Sequence, residues 1–223
     1  MCGRFTLHTP ADTVAEIFNL SEAPQWSPRY NLAPTQQVPT IRADAEGRKR
    51  EFHALTWGLV PSWARDPKMG ARMINARAET LHEKPSFRAA FRLRRCLILA
   101  DGFYEWQRLE SGKQPHFIGM QDGRPFAFAG LWEHWEHPGL PPIDSCTIIT
   151  TEPNELLAPI HNRMPVILDE SAYDEWMDPD ARNVKQLSAL LQPFPATRMT
   201  AYPISKLVNS PSNDGPECIV PAA

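Results

Sequence analysis

Cys96-Leu97-Ile98-Leu99-Ala100, Asp101-Gly102-Phe103 and Tyr104-Glu105-Trp106-Gln107-Arg108 form the stretch on which the fold turns. An apolar run, a turn signal and a second run rich in aromatics read as two strands in succession. Outward from it, strand-like runs recur at 38–41, 52–60, 116–120, 125–131, 146–151, 165–168 and 199–203, most of them separated by turn signals. Helical patterns are fewer, at 85–93, 154–160, 171–177 and 184–191. A further helix starts at Thr9-Pro10-Ala11-Asp12, with Thr9 expected as N-cap and Pro10 at the first helical position. Strands do not alternate with long helices, which argues against a Rossmann or TIM-barrel architecture. The expected class is α+β, with a mostly antiparallel, barrel-like β core and a few peripheral helices.

The 223 residues carry no repeat, low-complexity tract or interdomain linker, so residues 1–223 read as one continuous domain. A hydrophobic share of 42%, a charged share of 22% and a mean hydropathy of −0.40 place the chain among soluble globular proteins. No apolar run approaches a membrane span, and the N-terminus lacks a signal-peptide pattern, so an intracellular, cytoplasmic or nucleoid-associated protein with no membrane partner is expected. Cys2, Cys96, Cys146 and Cys218 are too scattered for paired zinc-ligand spacing and too few for a disulfide scaffold. Nothing calls for a metal or an organic cofactor.

Net charge is −3, which argues against a protein that coats nucleic acid through bulk positive charge. Its distribution is uneven. Between Ala64 and Arg95 nine bases face three acids, whereas from Asp144 onward eleven acids face five bases. The basic segment suits an anionic partner or a solvated helix face equally well.

Cys2 is the most unusual residue. Removal of Met1 would leave an α-amine and a thiol on adjacent carbons, a 1,2-aminothiol that condenses with an aldehyde to an imine and closes to a thiazolidine. The competing reading is a small buried hydrophobe. Asn75 and Arg77 lie in the basic segment, where an amide donor–acceptor and a phosphate-binding guanidinium are available. Glu105 sits among aromatics, where desolvation raises a carboxyl toward useful acid–base values, unless it points to solvent. His161 precedes Arg163 and Pro165 and titrates near neutrality. Trp57 and Trp63 flank the basic segment, with Trp57 expected in the core and the pair suited to stacking on unpaired bases.

Seven pieces in one order, Met1-Cys2-Gly3-Arg4-Phe5, Arg29-Tyr30-Asn31-Leu32-Ala33-Pro34, Trp57-Gly58-Leu59-Val60-Pro61, Asn75-Ala76-Arg77-Ala78-Glu79-Thr80, Ala100 to Trp106, His161-Asn162-Arg163-Met164-Pro165, and Val208-Asn209 with Asn213 to Glu217, span nearly the whole chain. Together they resemble the SOS-response-associated peptidase family, SRAP, whose members shield abasic sites in single-stranded DNA. The resemblance implies that Cys2 becomes N-terminal by self-processing of Met1 and crosslinks to the ring-opened abasic sugar as a thiazolidine. It assigns Asn75 to orienting Cys2 and the sugar, Glu105 to acid–base work in processing and imine formation, and His161 to proton transfer and reversal. Arg4, Arg77 and Arg163 are implied as phosphate contacts, and Trp63 and Pro34 as contacts to displaced bases. The implied partners are single-stranded DNA with abasic sites and replication-associated proteins, and abasic-site lyase activity accompanies the imine. Asn162 stands where many relatives carry Asp, which lowers the expected pKa of His161. The competing reading is an N-terminal-nucleophile cysteine peptidase or amidase acting on an external substrate.

Overall fold

The computed structural model describes every residue except Met1, Ala45, Arg48 and Ala223. In chain order its first elements are β1 (Phe5–Leu7), α1 (Ala11–Ile17), β2 (Arg29–Leu32), β3 (Gln37–Ala43), β4 (Arg50–Trp57), β5 (Asn75–Arg77), α2 (Arg88–Leu93), β6 (Arg95–Ala100) and β7 (Gly102–Leu109). They are followed by β8 (Gly112–Met120), β9 (Phe126–Trp135), β10 (Ile143–Thr151), β11 (Met164–Pro165), β12 (Ile167–Leu168), α3 (Tyr173–Met177), α4 (Val184–Ala189) and β13 (Met199–Pro203).

Strands β10, β4, β3, β6 and β9 pair in that order, and β9 pairs back onto β10, so the five close into a ring. Every pairing in the ring is antiparallel except β4 with β10. Closure leaves these strands without a free edge. A second, wholly antiparallel sheet of order β13-β8-β7-β1-β2 stands beside it. The α+β class with a mostly antiparallel, barrel-like core is therefore the observed one.

The run that opens this reading is unbroken because β6 is buried on both faces. Leu97 and Leu99 pack with Phe91, Tyr173 and Trp176 of the helices, while Cys96, Ile98 and Ala100 pack with Phe5, Phe103 and Phe128 of the strands. Asp101 then turns the chain from the ring into the second sheet. Its carboxylate accepts the Thr9 N–H at 2.9 Å and the Thr9 hydroxyl at 2.6 Å, and it pairs with His8 Nδ1 at 2.7 Å.

That contact corrects one expectation: the Thr9 hydroxyl is spent on Asp101, and the first helix begins at Ala11 with Pro10 in the cap position. The helix expected over 154–160 is a run of turns. Ala158 N and His161 N make helix-type bonds to Asn154 O and Leu157 O, but Pro159 between them has no N–H to continue the ladder. The helix expected from 85 starts at Arg88, and the strand expected over 165–168 divides, with Met164–Pro165 on β10 and Ile167–Leu168 on β9.

Gly58 fixes the loop that leaves β4. Its φ is +135°, and a Cβ there would stand 2.6 Å from the Gly70 carbonyl oxygen, so two backbone segments touch where no side chain fits. Gly58→Ala is expected to cost about 2 kcal/mol, lowering the melting temperature by roughly 4–8 °C. Calorimetry checks this, and an unchanged melting temperature would contradict the close approach.

Candidate functional site

Antiparallel pairing builds the site from the N-terminal segment outward. Phe5 lies opposite Phe103 and Thr6 opposite Gly102, and the Tyr104 N–H donates to Arg4 O at 3.0 Å. One further step in this register sets Gly3 across from Glu105, bringing Cys2 to the same end of β7. Cys2 is fully buried, among Phe5, Leu32 and Phe103. Burial pushes its thiol far above the ordinary range, and the nearby Glu105 carboxylate adds to the shift.

Asn75 reaches the same residue from another direction. Its strand β5 lies parallel to β10, with Asn75 opposite Ile148, and the Ile74 carbonyl accepts bonds from Ile148 N at 3.1 Å and Trp57 Nε1 at 2.8 Å. Held this way, Asn75 Nδ2 donates to the Cys2 carbonyl at 2.7 Å. Its Oδ1 is buried with no hydrogen-bond partner among the described residues. Such an acceptor is costly unless a bound group donates to it.

Glu105 is 2% exposed, and desolvation pushes its carboxyl up to about 7. His161 Nε2 stands 4.0 Å from Glu105 Oε2, and desolvation is the leading cause of a lowered imidazole pKa. A strong ion pair would shift both groups the other way. Burial therefore dominates, raising the Glu105 carboxyl and lowering the His161 imidazole. The turn holds the ring from behind, with the Arg163 N–H donating to Nδ1 at 3.1 Å.

Cys2, Asn75, Glu105 and His161 are thus brought together, whereas the expected DNA contacts divide. Arg77 is exposed at the end of β5. Trp57 is buried, and Trp63 is 56% exposed on a loop tied down at three points. Those ties are Val60 N to Ser145 Oγ at 2.8 Å, Ser62 N to Glu133 Oε2 at 3.2 Å, and Trp135 Nε1 to Ala64 O at 2.7 Å. Pro34 is half-buried in the turn after β2. Arg4 spends its guanidinium on Asn31 Oδ1, Val208 O and Asn209 O at 3.0, 2.7 and 3.2 Å. Arg163 grips Glu79 with two bonds and the Thr150 carbonyl with a third.

The charge excess of the basic segment is also partly internal. Arg95 is buried and donates to the carbonyls of Phe91, Arg92, Trp176, Asp178 and Ala181, and Arg94 pairs with the buried Glu133. Arg65, Lys68, Arg72, Arg77, Lys84, Arg88 and Arg92 remain exposed.

Sequence reasoning left two residues without a role. Asn31 Nδ2 donates to the carbonyls of Val208, Ser210 and Asn213, and Asp214 Oδ1 accepts the N–H groups of Tyr30 and Asn31 at 2.6 and 2.7 Å. This clasp straps the C-terminal segment over β2 and beside Arg4. The only signal for it was the presence of Asn31 and Asp214 in the motif pieces. Among the described residues no group of three or more His, Cys, Asp or Glu is placed to hold a metal ion, and no helix is long and apolar enough to cross a membrane.

The family model for SOS response associated peptidase, SRAP, matches residues 1–211. The abasic site processing protein YoqW of Bacillus subtilis (strain 168) is 49% identical over 98% of this chain and 99% of its own length. The abasic site processing protein HMCES of Rattus norvegicus is 34% identical, covering 100% of this chain and 76% of its own length. Among solved structures, a protein from Bacteroides thetaiotaomicron superposes with a TM-score of 0.89 at 28% identity over the full length of both chains.

Proposed function

The chain belongs to the SOS response associated peptidase family, and from that membership we propose that it captures abasic sites in single-stranded DNA through Cys2. Hydrolysis of the Met1–Cys2 amide frees the Cys2 α-amine. That amine attacks the C1′ aldehyde of the opened deoxyribose, and loss of water gives an imine. The Cys2 thiol then adds to the imine carbon, its proton passing to nitrogen, and a five-membered thiazolidine results. The imine also acidifies C2′, so strand cleavage by elimination competes with ring closure.

The observation that carries this reading is the Asn75 amide on the Cys2 carbonyl, beside a carboxyl that titrates near 7. Burial holds the thiol protonated, so ring closure needs a base within the site, and Glu105 or His161 supplies it. The orphaned Asn75 Oδ1 suits a sugar hydroxyl as donor. Arg77, exposed two residues from Asn75, is the first-choice phosphate contact, and the fixed, exposed Trp63 offers a ring for a displaced base, with the half-buried Pro34 a further contact. Arg4 spends three of its five donors inside the protein, leaving two for a phosphate, whereas Arg163 spends three and buries Nε, leaving one.

Mixing the protein with a single strand carrying one abasic site is expected to give a species that survives denaturing electrophoresis. Its intact mass should equal the DNA plus a chain lacking Met1, less one water. An undamaged strand should give none. A free Cys2 terminus that forms no adduct would sink the proposal and turn attention to turnover of external amides.

A further inference from the structure

The Glu79–Arg163 pair occupies a position that the chemistry above does not use. Arg163 Nη1 and Nη2 grip the two Glu79 oxygens at 2.6 and 3.0 Å, a fork-to-fork pair, and Nη2 also donates to Thr150 O at 2.6 Å. The Arg163 side chain is only 14% exposed, whereas Glu79 is 46% exposed. The guanidinium therefore sits at a three-way junction. Glu79 follows β5, the strand that carries Asn75; Thr150 lies on β10, opposite Arg77; and Arg163 belongs to the turn that carries His161.

We propose that the Glu79–Arg163 pair braces the Asn75 strand against the His161 turn across Cys2, which makes Glu79 a positioning residue for the reaction. β5 is three residues long, and the segment before His161 is a run of turns, so neither is rigid by its own hydrogen bonding. The brace supplies what they lack. Asn75 and His161 approach Cys2 from different elements, and a bidentate ion pair fixes distance and angle together, where a single contact fixes only distance. The lowered pKa of Glu79, caused first by its Arg163 hydrogen bond, keeps the pair ionised across the neutral range. Nε is buried, so one Nη1 donor is left over from the brace, and through it Arg163 can meet a phosphate without releasing Glu79.

The inference rests on the abasic-capture reading for its kinetic test and is independent of it for its spectroscopic one. Wild type, Glu79→Gln and Arg163→Lys are compared for adduct formation at saturating abasic strand, for affinity toward an undamaged strand of the same length, and for the His161 ring and Asn75 side-chain amide signals by NMR. Glu79→Gln retains shape, and Arg163→Lys retains charge but not the planar fork. The expected result for Glu79→Gln is a maximal rate about tenfold lower, an unchanged affinity for undamaged DNA, and displaced Asn75 and His161 signals. A wild-type rate at saturation would overturn the brace, as would tighter binding of undamaged DNA at an unchanged rate, which would mark Glu79 as a rival of phosphate. Should wild type itself form no adduct, the capture reading falls, and the brace is then judged by the NMR signals alone: unmoved signals in both variants overturn it.

Discussion

Cys2→Ala is expected to abolish the denaturation-resistant adduct while leaving a trappable one. Alanine at this position keeps the α-amine once Met1 is removed, so the imine to the abasic sugar still forms. Without the thiol no second bond closes the ring, and water returns the imine to amine and aldehyde. Borohydride reduction should therefore recover a crosslinked species from Cys2→Ala, and omission of borohydride should leave none. The fold should tolerate the change, because Cys2 is a small buried group and its structural contact to Asn75 runs through the backbone carbonyl. Strand cleavage by elimination is expected to rise in this variant, since ring closure no longer competes for the imine. A stable adduct from Cys2→Ala without reductant would remove Cys2 from the chemistry.

Glu105→Gln is expected to slow adduct formation by about 100-fold and to flatten its pH dependence. Glu105 titrates near 7, so in the proposed reaction it would donate a proton to the leaving water below that pH and accept one from the thiol above it. Glutamine does neither, and the residual rate should lack an inflection between pH 6 and 8. The same substitution should change stability in the opposite sense. The folded-state value is raised above the ordinary 4.5, so stability is fully present below that pH and is lost as pH rises through about 7. Above neutrality the buried carboxylate costs on the order of 3 kcal/mol, which Gln does not incur. Thermal melts should show Glu105→Gln more stable than wild type at pH 8 and level with it at pH 4. A variant that is slower and no more stable at pH 8 would mean that Glu105 ionises without strain.

The sequence made β6 and β9 legible because they are buried on both faces over most of their length. β6 and β9 have nowhere to put a polar side chain facing water over most of their length, so their apolar runs are nearly unbroken. Strands β1, β2 and β5 were invisible by the same logic. They are three or four residues long, and the polar Asn31 and Asn75 in two of them have side-chain partners far along the chain. The turns over 154–160 carry helical spacing, and a single proline decides against a helix. Trp57 is in the core as expected, and the ties of the following loop to Glu133, Ser145 and Trp135 hold Trp63 at the surface.

For the site, motif resemblance named Cys2, Asn75, Glu105 and His161, and no periodicity could have joined them, because each comes from a different element. The Asn31–Asp214 clasp and the Glu79–Arg163 brace were beyond local pattern for the same reason. Their members are 183 and 84 residues apart and pair only once the sheets exist.

The clasp also sets an order of events during synthesis. Arg4, two residues from Cys2, takes a main-chain partner from Val208, 204 residues later. At roughly 5–20 residues per second, on the order of 10–40 s pass between translation of the two. The ring's last strand, β10, which joins β4 to β9, is complete at Thr151, well before Val208 is made. A nascent chain thus holds its Cys2 segment without the C-terminal strap until translation is nearly complete.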